Sequence, residues 1–249
     1  MHRFYLPPEQ CGTPTLVLTG PEAHHALCVL RVSPGDFVAV LDGQGVEYRC
    51  SVQHAARNEV NLSVREKRTA PPPTCRMTLL QALPKGKLIE SIIQKATELG
   101  AWRIVPLTAE RSVAHVKIPD AGAKAMKWQT VAIEAIKQCG AAWLPRVEIP
   151  QTPNEFLERK ESIELSLVGS LQPGAMHPRR VLAAYRQQFG RMPRSAAIWI
   201  GPEGDFTPGE LAAIQGAGAS PITLGPLVLR TETAALYCLS VLSYELQGG

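Results

Sequence analysis

The sequence predicts a parallel α/β domain preceded by a small β-barrel, and three observations carry that prediction. A proline run, Ala70-Pro71-Pro72-Pro73-Thr74, stiffens the chain and divides it. Before the run, short β-type segments follow one another with turn residues between them. After it, strand and helix patterns alternate, as they do in parallel sheets with helical crossovers. The expected boundaries are 1–70 for the barrel, 71–75 for the linker and 76–249 for the α/β domain.

The barrel strands are TLVLT (15–19), FVAVLD (37–42), VEYRCSV (46–52) and VNLSV (60–64). Asp42-Gly43-Gln44-Gly45 supplies residues that tolerate a tight hairpin turn. PEAHHALCVLR (21–31) reads as a short helix with Pro21 near its first turn.

Beyond the linker, MTLLQAL (77–83) is an apolar run of the kind found in strands buried on both faces. LIESIIQKATEL (88–99) places Leu88, Ile89, Ile92, Ile93, Ala96 and Leu99 on one helical stripe, and Gly100 stops it. RIVPL (103–107), LSLVG (165–169), AIWIG (197–201) and ITLG (222–225) are the further strands. The last helix, about 232–246, has almost no polar face and predicts cover on several sides, from a deep core or from a second subunit.

Composition narrows the function classes. With 45% hydrophobic and 19% charged residues, the 249-residue chain is globular and not a disordered tail. No apolar run reaches membrane-spanning length, and MHRFYLPPEQ lacks the apolar core of a secretory signal. A soluble, cytoplasmic protein is expected. Six cysteines without a C-x-x-C pair predict reduced, buried thiols and no metal site. The net charge of +4 is unevenly spread: residues 1–70 balance, 76–146 carry a net +6, and 147–249 a net −2. A basic middle segment is compatible with a phosphate-rich partner, though lysine-rich helix faces also occur for solubility.

The common nucleotide fingerprints are missing. No P-loop is present, and Gly216-Ala217-Gly218 follows a helix instead of a strand. Two loops do follow strands and lead into helices, where open parallel sheets bind ligands. The first is Gly201-Pro202-Glu203-Gly204-Asp205-Phe206. It enters a helix through Thr207 as N-cap, Pro208 at the first position and Glu210 completing a capping box. The second runs from Leu224-Gly225-Pro226 through Leu229-Arg230-Thr231-Glu232 to Thr233-Ala234. The residues alone reach a small-molecule site at the carboxyl edge of the sheet.

Those loops, with KLIESIIQKATELG (87–100), VPLTAERS (105–112) and HHALCVLR (24–31), resemble the RsmE family. These are ribosomal RNA uridine-N3 methyltransferases of the SPOUT superfamily, and the likeness runs nearly end to end. It implies a PUA-like barrel followed by an α/β domain with a deep trefoil knot. It also implies a homodimer, S-adenosyl-L-methionine as cofactor, and ribosomal RNA or the small ribosomal subunit as partner. By this resemblance Gly201, Leu224, Gly225 and Leu229 cradle the cofactor, with Val168 and Gly169 as a third wall. Arg230 becomes the candidate for stabilising a uracil anion, and Glu232 a candidate proton acceptor or orienter, with Glu203 a second carboxylate. Arg230 pairing with Glu232, and Glu232 complementing a helix dipole, are the structural alternatives. Arg31, Lys85, Lys87, Lys95 and Arg111 are the RNA-binding candidates.

The chain departs from the family pattern at four places. Asp205 stands where a second glycine is usual, and Leu227 where arginine is usual. Ala141-Ala142-Trp143 replaces basic or polar residues, and Cys28 a position that is often basic. Lost positive charge opens two alternatives: a different RNA target, or an RNA-binding module without catalysis.

Overall fold

The computed structural model describes residues 1–56, 58–114, 116 and 118–247. They form two compact units. One comprises Met1–Pro72 with Ile133–Leu144, the other Pro73–Ala132 with Pro145–Gly249.

The first unit is built on strands β1 (His2–Tyr5), β2 (Thr15–Thr19), β3 (Phe37–Leu41), β4 (Val46–Ala56) and β5 (Glu59–Thr69). They form one sheet in the order β1-β3-β4-β5-β2, with β1 parallel to β3 and the other pairs antiparallel. Register shifts between Arg49 and Cys50 and between Val52 and His54 bend the long β4–β5 ribbon. The curl encloses Phe4, Leu16, Leu18, Val38, Val40, Val60 and Leu62 in one core. No ladder joins β1 to β2 among the described residues, so the unit is a curled sheet and not a closed barrel. Asp42 Oδ1 accepts from the Gln44 and Val46 amides at 2.7 and 3.0 Å and builds the expected turn. Strand β1 escapes the alternation pattern because only Phe4 of its four residues is buried.

The helix expected over 21–31 is shorter. Helix α1 (Gly20–His24) passes into a π-type turn at His25–Val29, and Arg31 then adopts a left-handed φ of 54°. Ile133–Leu144 join this unit through specific bonds. Lys137 Nζ is enclosed between Glu22 at 2.7 Å and Glu134 at 2.9 Å, and Arg3 donates to the Gln138 carbonyl. The Ala142 carbonyl accepts from the Gly45 amide, and the Trp143 indole donates to Pro71 O. Ala141-Ala142-Trp143 is therefore packed structure in this chain. Cys28 and Cys139 are exposed, contrary to the expectation of six buried thiols. They lie at the end of a short turn and of a helix, where the chain leaves its core. Burial holds Cys11 up at about 11 and Cys50, Cys75 and Cys238 up at about 12, so those thiols stay protonated and unreactive at neutral pH.

The second unit is a six-stranded parallel sheet. Its strands are β6 (Arg76–Ala82), β7 (Arg103–Leu107), β8 (Arg146–Val147), β9 (Leu165–Gly169), β10 (Ser195–Ile200) and β11 (Ser220–Ile222), in the order β11-β9-β10-β6-β7-β8. Helices α2 (Leu88–Glu98), α3 (Ile118–Cys139), α4 (Pro153–Glu158), α5 (Pro178–Phe189), α6 (Pro208–Gly216) and α7 (Thr231–Gln247) make the crossovers and the C-terminal cover. The expected strand at 222–225 ends early. Thr223 turns its hydroxyl onto the Gly225 amide, and Gly225 takes φ 113°, which no ladder tolerates. On α2, Ile89, Ile92, Ile93 and Ala96 are buried as expected. Leu88 is exposed and Leu99 half-buried, because they flank that stripe at the two helix ends.

At the far edge of the sheet the chain doubles back. From edge strand β11 it returns to the middle, where α7 packs on β10, β6 and α2. Thr231, Ala235, Cys238, Leu239, Leu242 and Leu246 form the buried stripe of α7, while Tyr237 and Tyr244 face outward. Among the described residues no helix is long and apolar enough to cross a membrane.

Candidate active site at the carboxyl edge of the sheet

Strands β9, β10 and β11 lie side by side and parallel, so the loops that leave them emerge on one edge. Between these loops is a cavity of about 290 Å³. Its walls are Gly169 and Ser170 at the end of β9, Gly201 to Glu203 after β10, and Leu224, Gly225 and Leu229 to Thr231 after β11. This is where a parallel sheet leaves backbone amides and carbonyls free for a ligand.

The loop after β10 is held from every side. Pro202 O accepts from the Asp205 amide, which closes a turn, and Phe206 anchors the far end in the core. Thr207 and Glu210 form the expected capping box at the start of α6. Glu210 is itself buried, and its other oxygen accepts from the Glu110 amide at 2.9 Å. Glu203 Oε1 accepts from the Lys85 amide at 3.0 Å, tying in the loop after β6. Arg111 Nη1 donates to Gly204 O at 2.9 Å, tying in the loop after β7. Thr231 Oγ1 donates to Gly201 O at 2.8 Å, tying in the return from β11.

Glycine is required at two of these positions for different reasons. A Cβ on Gly201 would stand 3.0 Å from Asp205 Oδ1 and 3.1 Å from the Phe206 nitrogen, so a side chain there would open the turn. Gly225 has open space around it but a backbone that other residues rarely adopt. Asp205, the departure from glycine, sits at φ 60°. Its Oδ1 accepts from the next amide, Phe206 N, at 2.8 Å. Short polar side chains enter the left-handed region because they can make such local bonds, so the turn survives the substitution.

The predicted residues divide between wall, support and rim. Gly169, Gly201, Leu224, Gly225, Leu229 and Arg230 all line the cavity. Val168 is fully buried beneath it, within the core. Glu232 is in the first turn of α7, outside the lining, and forms no ion pair with Arg230. Arg230 is exposed at the rim. Glu203 and Asp205 contribute carboxylates to the lining. Lys85 and Lys87 are exposed on the loop after β6, Arg111 is committed to Gly204, and Lys95 pairs with Glu98 on α2. Arg31 belongs to the other unit.

Thr231 and Ala234, within the second predicted loop, also line the cavity, as does Ser170, which the sequence did not mark; nor did it mark Gln81 behind it. A signal existed for Gln81. It is the one strongly polar side chain in the run 77–83, and it is completely buried.

Two family models match the chain. The family model of the RNA methyltransferase domain matches residues 71–243, and that of the RNA methyltransferase PUA domain matches 18–65. The fold and the site thus define an RNA methyltransferase domain joined to a PUA domain. Ribosomal RNA small subunit methyltransferase E of Bacillus subtilis is 32% identical over 238 residues, 93% of this chain and 91% of the relative. The protein of that name from Mycobacterium tuberculosis is 34% identical over 225 residues, covering 90% and 84%. A methyltransferase of Legionella pneumophila, solved with its cofactor SAM bound, superposes with a TM-score of 0.86 at 30% identity, over 98% of this chain and 97% of that one. Ribosomal RNA small subunit methyltransferase E of Neisseria gonorrhoeae, solved with S-adenosyl methionine, gives 0.84 at 26% identity and covers 98% of each. The chain belongs to the family of ribosomal RNA small subunit methyltransferase E.

Proposed function

We propose that this chain uses S-adenosyl-L-methionine to methylate N3 of one uridine in small-subunit ribosomal RNA. The observation that carries the reading is the cavity itself. Three glycine-bearing loops surround an apolar hollow, and a single cation, Arg230, stands at its rim without an ion-pair partner among the described residues.

The residues present fit the cofactor. Leu224 and Leu229 offer apolar walls, and Gly201 and Gly225 let the main chain approach a flat adenine closely. When bound, the cofactor supplies a methyl group on a sulfonium, which a nucleophile with a free lone pair can take. Uridine N3 has that lone pair in reactive form only after its imide proton leaves. The role of Arg230 is to stabilise the negative charge that then spreads onto uracil O2 and O4. Glu203 and Asp205 are the proton acceptors that the lining offers, each with one oxygen on a backbone amide and one uncommitted. Glu232 complements the N-terminal dipole of α7. Because N3 lies on the pairing edge, the uridine enters unpaired or flipped out.

Lys85 and Lys87 flank the same edge and serve the RNA backbone, and Arg31 is the RNA-binding candidate of the first unit. Arg111 holds the Gly204 loop, and Lys95 is spoken for by Glu98. We read the return of the chain from β11 to α7, past the loop after β10, as the trefoil knot. The outward Tyr237 and Tyr244 then become part of a homodimer interface. The protein is assigned to the cytoplasm, where small subunits are assembled.

A second reading, a different RNA target, is favoured by one observation. Leu227 and Val228 expose apolar side chains at the cavity rim, where the family pattern has a cation at the first. One experiment separates them: undermethylated small subunits incubated with the protein and methyl-labelled cofactor. Label in N3-methyluridine is the expected result. Label in another nucleoside would establish the second reading, and no transfer with intact cofactor binding would overturn both.

A further inference from the structure

A fully buried glutamine in the middle of a parallel sheet is costly unless it does something an apolar side chain cannot. Gln81 is such a residue. It lies on β6 beside Ile200 of β10, with Leu79, Leu80 and Ala82 around it all fully buried. Its Nε2 donates to Ala82 O at 2.8 Å and to Thr231 Oγ1 at 2.9 Å. Its Oε1 is buried and has no hydrogen-bond partner among the described residues. Leu or Met would fill the same space, but only a side chain with two N–H donors can reach both Ala82 O and Thr231 Oγ1.

The amide orientation is fixed by chemistry. Ala82 O can only accept, so the group facing it is the NH2. The second NH2 hydrogen goes to Thr231 Oγ1, and that obliges the Thr231 hydroxyl to aim its own proton elsewhere. It points at Gly201 O, 2.8 Å away. The result is a directed chain from Gln81 through Thr231 to the Gly201 carbonyl. It joins the end of β6, the start of α7 and the loop after β10, the three segments that meet behind the cavity. Thr231 and Gly201 both line that cavity, and Gly201 has no side chain with which to fix itself.

We infer that Gln81 and Thr231 are positioning residues for the cofactor loops. By holding the Gly201 carbonyl from behind, they present the other side of the Gly201–Pro202 backbone to the ligand and pin the return from β11 in place. Neither residue reacts; their effect is on how tightly the methyl donor is held. The inference rests on S-adenosyl-L-methionine occupying this cavity, and the experiment tells the failure of one from the failure of the other.

The experiment compares wild type with Thr231→Val, Thr231→Ser and the double variant Gln81→Met/Thr231→Val. Three quantities are read on each full-length protein: cofactor Kd by calorimetry, the thermal midpoint, and amide exchange across 201–206 and 224–230 without ligand. Thr231→Val should weaken cofactor binding about tenfold, the scale of one lost buried hydrogen bond at a contact surface. Thr231→Ser should bind within about twofold of wild type, because the hydroxyl is retained. The double variant removes the amide that Thr231→Val would leave without its partner, though the Gly201 carbonyl still loses its donor, so its thermal midpoint should lie above that of Thr231→Val. Its affinity loss and its faster loop exchange should nevertheless persist. A double variant that binds and exchanges like wild type would overturn the inference. So would affinity losses that track the thermal midpoint across the series without rescue by serine. If wild type itself does not bind the cofactor, the proposed function falls, and the exchange rates still decide whether Gln81 and Thr231 hold the loops.

Discussion

The two edges of the parallel sheet are held together by different physics. At the amino edge, charged side chains neutralise one another. Glu148 is buried between Arg103 and Arg159, Glu161 joins the same two arginines, and Phe156 is flanked by both guanidinium groups. Glu164, at the start of β9, takes Arg191, the Arg194 amide and the Tyr185 hydroxyl. At the carboxyl edge the charges of the loops form no ion pairs among the described residues. Lys85, Lys87 and Arg230 are exposed, Glu203 and Asp205 accept from backbone amides, and Glu232 is half-buried in the first turn of α7. Backbone carbonyls, a threonine and a glutamine do the fastening instead. One edge spends its charges on stability; the other keeps them for a ligand.

If that division is right, removing the free cation should damage chemistry and leave folding alone. Arg230→Ala is expected to lower single-turnover methylation about 100- to 1000-fold, the scale of losing one preorganised charge stabiliser. Cofactor affinity and thermal midpoint should stay near wild type. Equal losses in turnover and in cofactor binding would make Arg230 a binding residue and blur the contrast.

The amino edge offers the converse. Burial alone would raise the Glu148 carboxyl, but the hydrogen bond from Arg159 and the charges of Arg103 and Arg159 outweigh it and hold its pKa low. Glu148→Ala removes the buried carboxylate between the two guanidinium groups and leaves Glu161 as their remaining acid, so it should cost about 2 kcal/mol in chemical denaturation. Cofactor affinity should not change. Glu164 gives a subtler test. The Arg191 hydrogen bond, with the Arg194 amide, holds its carboxyl down to about 2 from the ordinary 4.5. A folded-state pKa below the unfolded one means stability that is present above about pH 4.5 and lost as pH falls toward 2. Glu164→Gln should flatten the fall of the thermal midpoint across that window.

How much of this contrast could be read from the sequence depends on the range of the interaction. Much local chemistry is legible: β7 and β9 at their observed bounds, the Thr207-Pro208-Glu210 cap, the Asp42 turn and the stop at Gly100 all depend on residues within a few positions. The loops at the carboxyl edge were also legible, because strand-loop-helix order and glycine placement are local. What the sequence hid was long-range. Gln81 reads as a blemish in an apolar run until Thr231, 150 residues away, is seen to meet it. The assignment of Ile133–Leu144 to the first unit depends on Lys137 reaching Glu22, which no periodicity encodes. Arg111 reads as a free cation and is engaged by the Gly204 carbonyl. The roles of Arg230 and of the cofactor came from family resemblance, and no spacing rule would have assigned them.

The smallest expected effect is also the one that best tests how the carboxyl edge is fastened. Asp205 holds a left-handed backbone at φ 60° and bonds its own neighbour's amide. Asp205→Ala keeps the unfavourable backbone and loses the bond, so it should destabilise by about 1 kcal/mol. Asp205→Gly loses the same bond but relieves the backbone, and the two terms, each about 1 kcal/mol, should nearly cancel. The glycine variant therefore separates a stability effect from a functional one. Its denaturation midpoint should match wild type, so any change in cofactor Kd reports the Asp205 side chain and its turn at the cavity and not a loss of folding. If alanine proves as stable as wild type, the Oδ1 bond is not what holds the turn. The fastening would then lie with the three neighbours that reach it from outside, Lys85 through Glu203, Arg111 through Gly204 and Thr231 through Gly201.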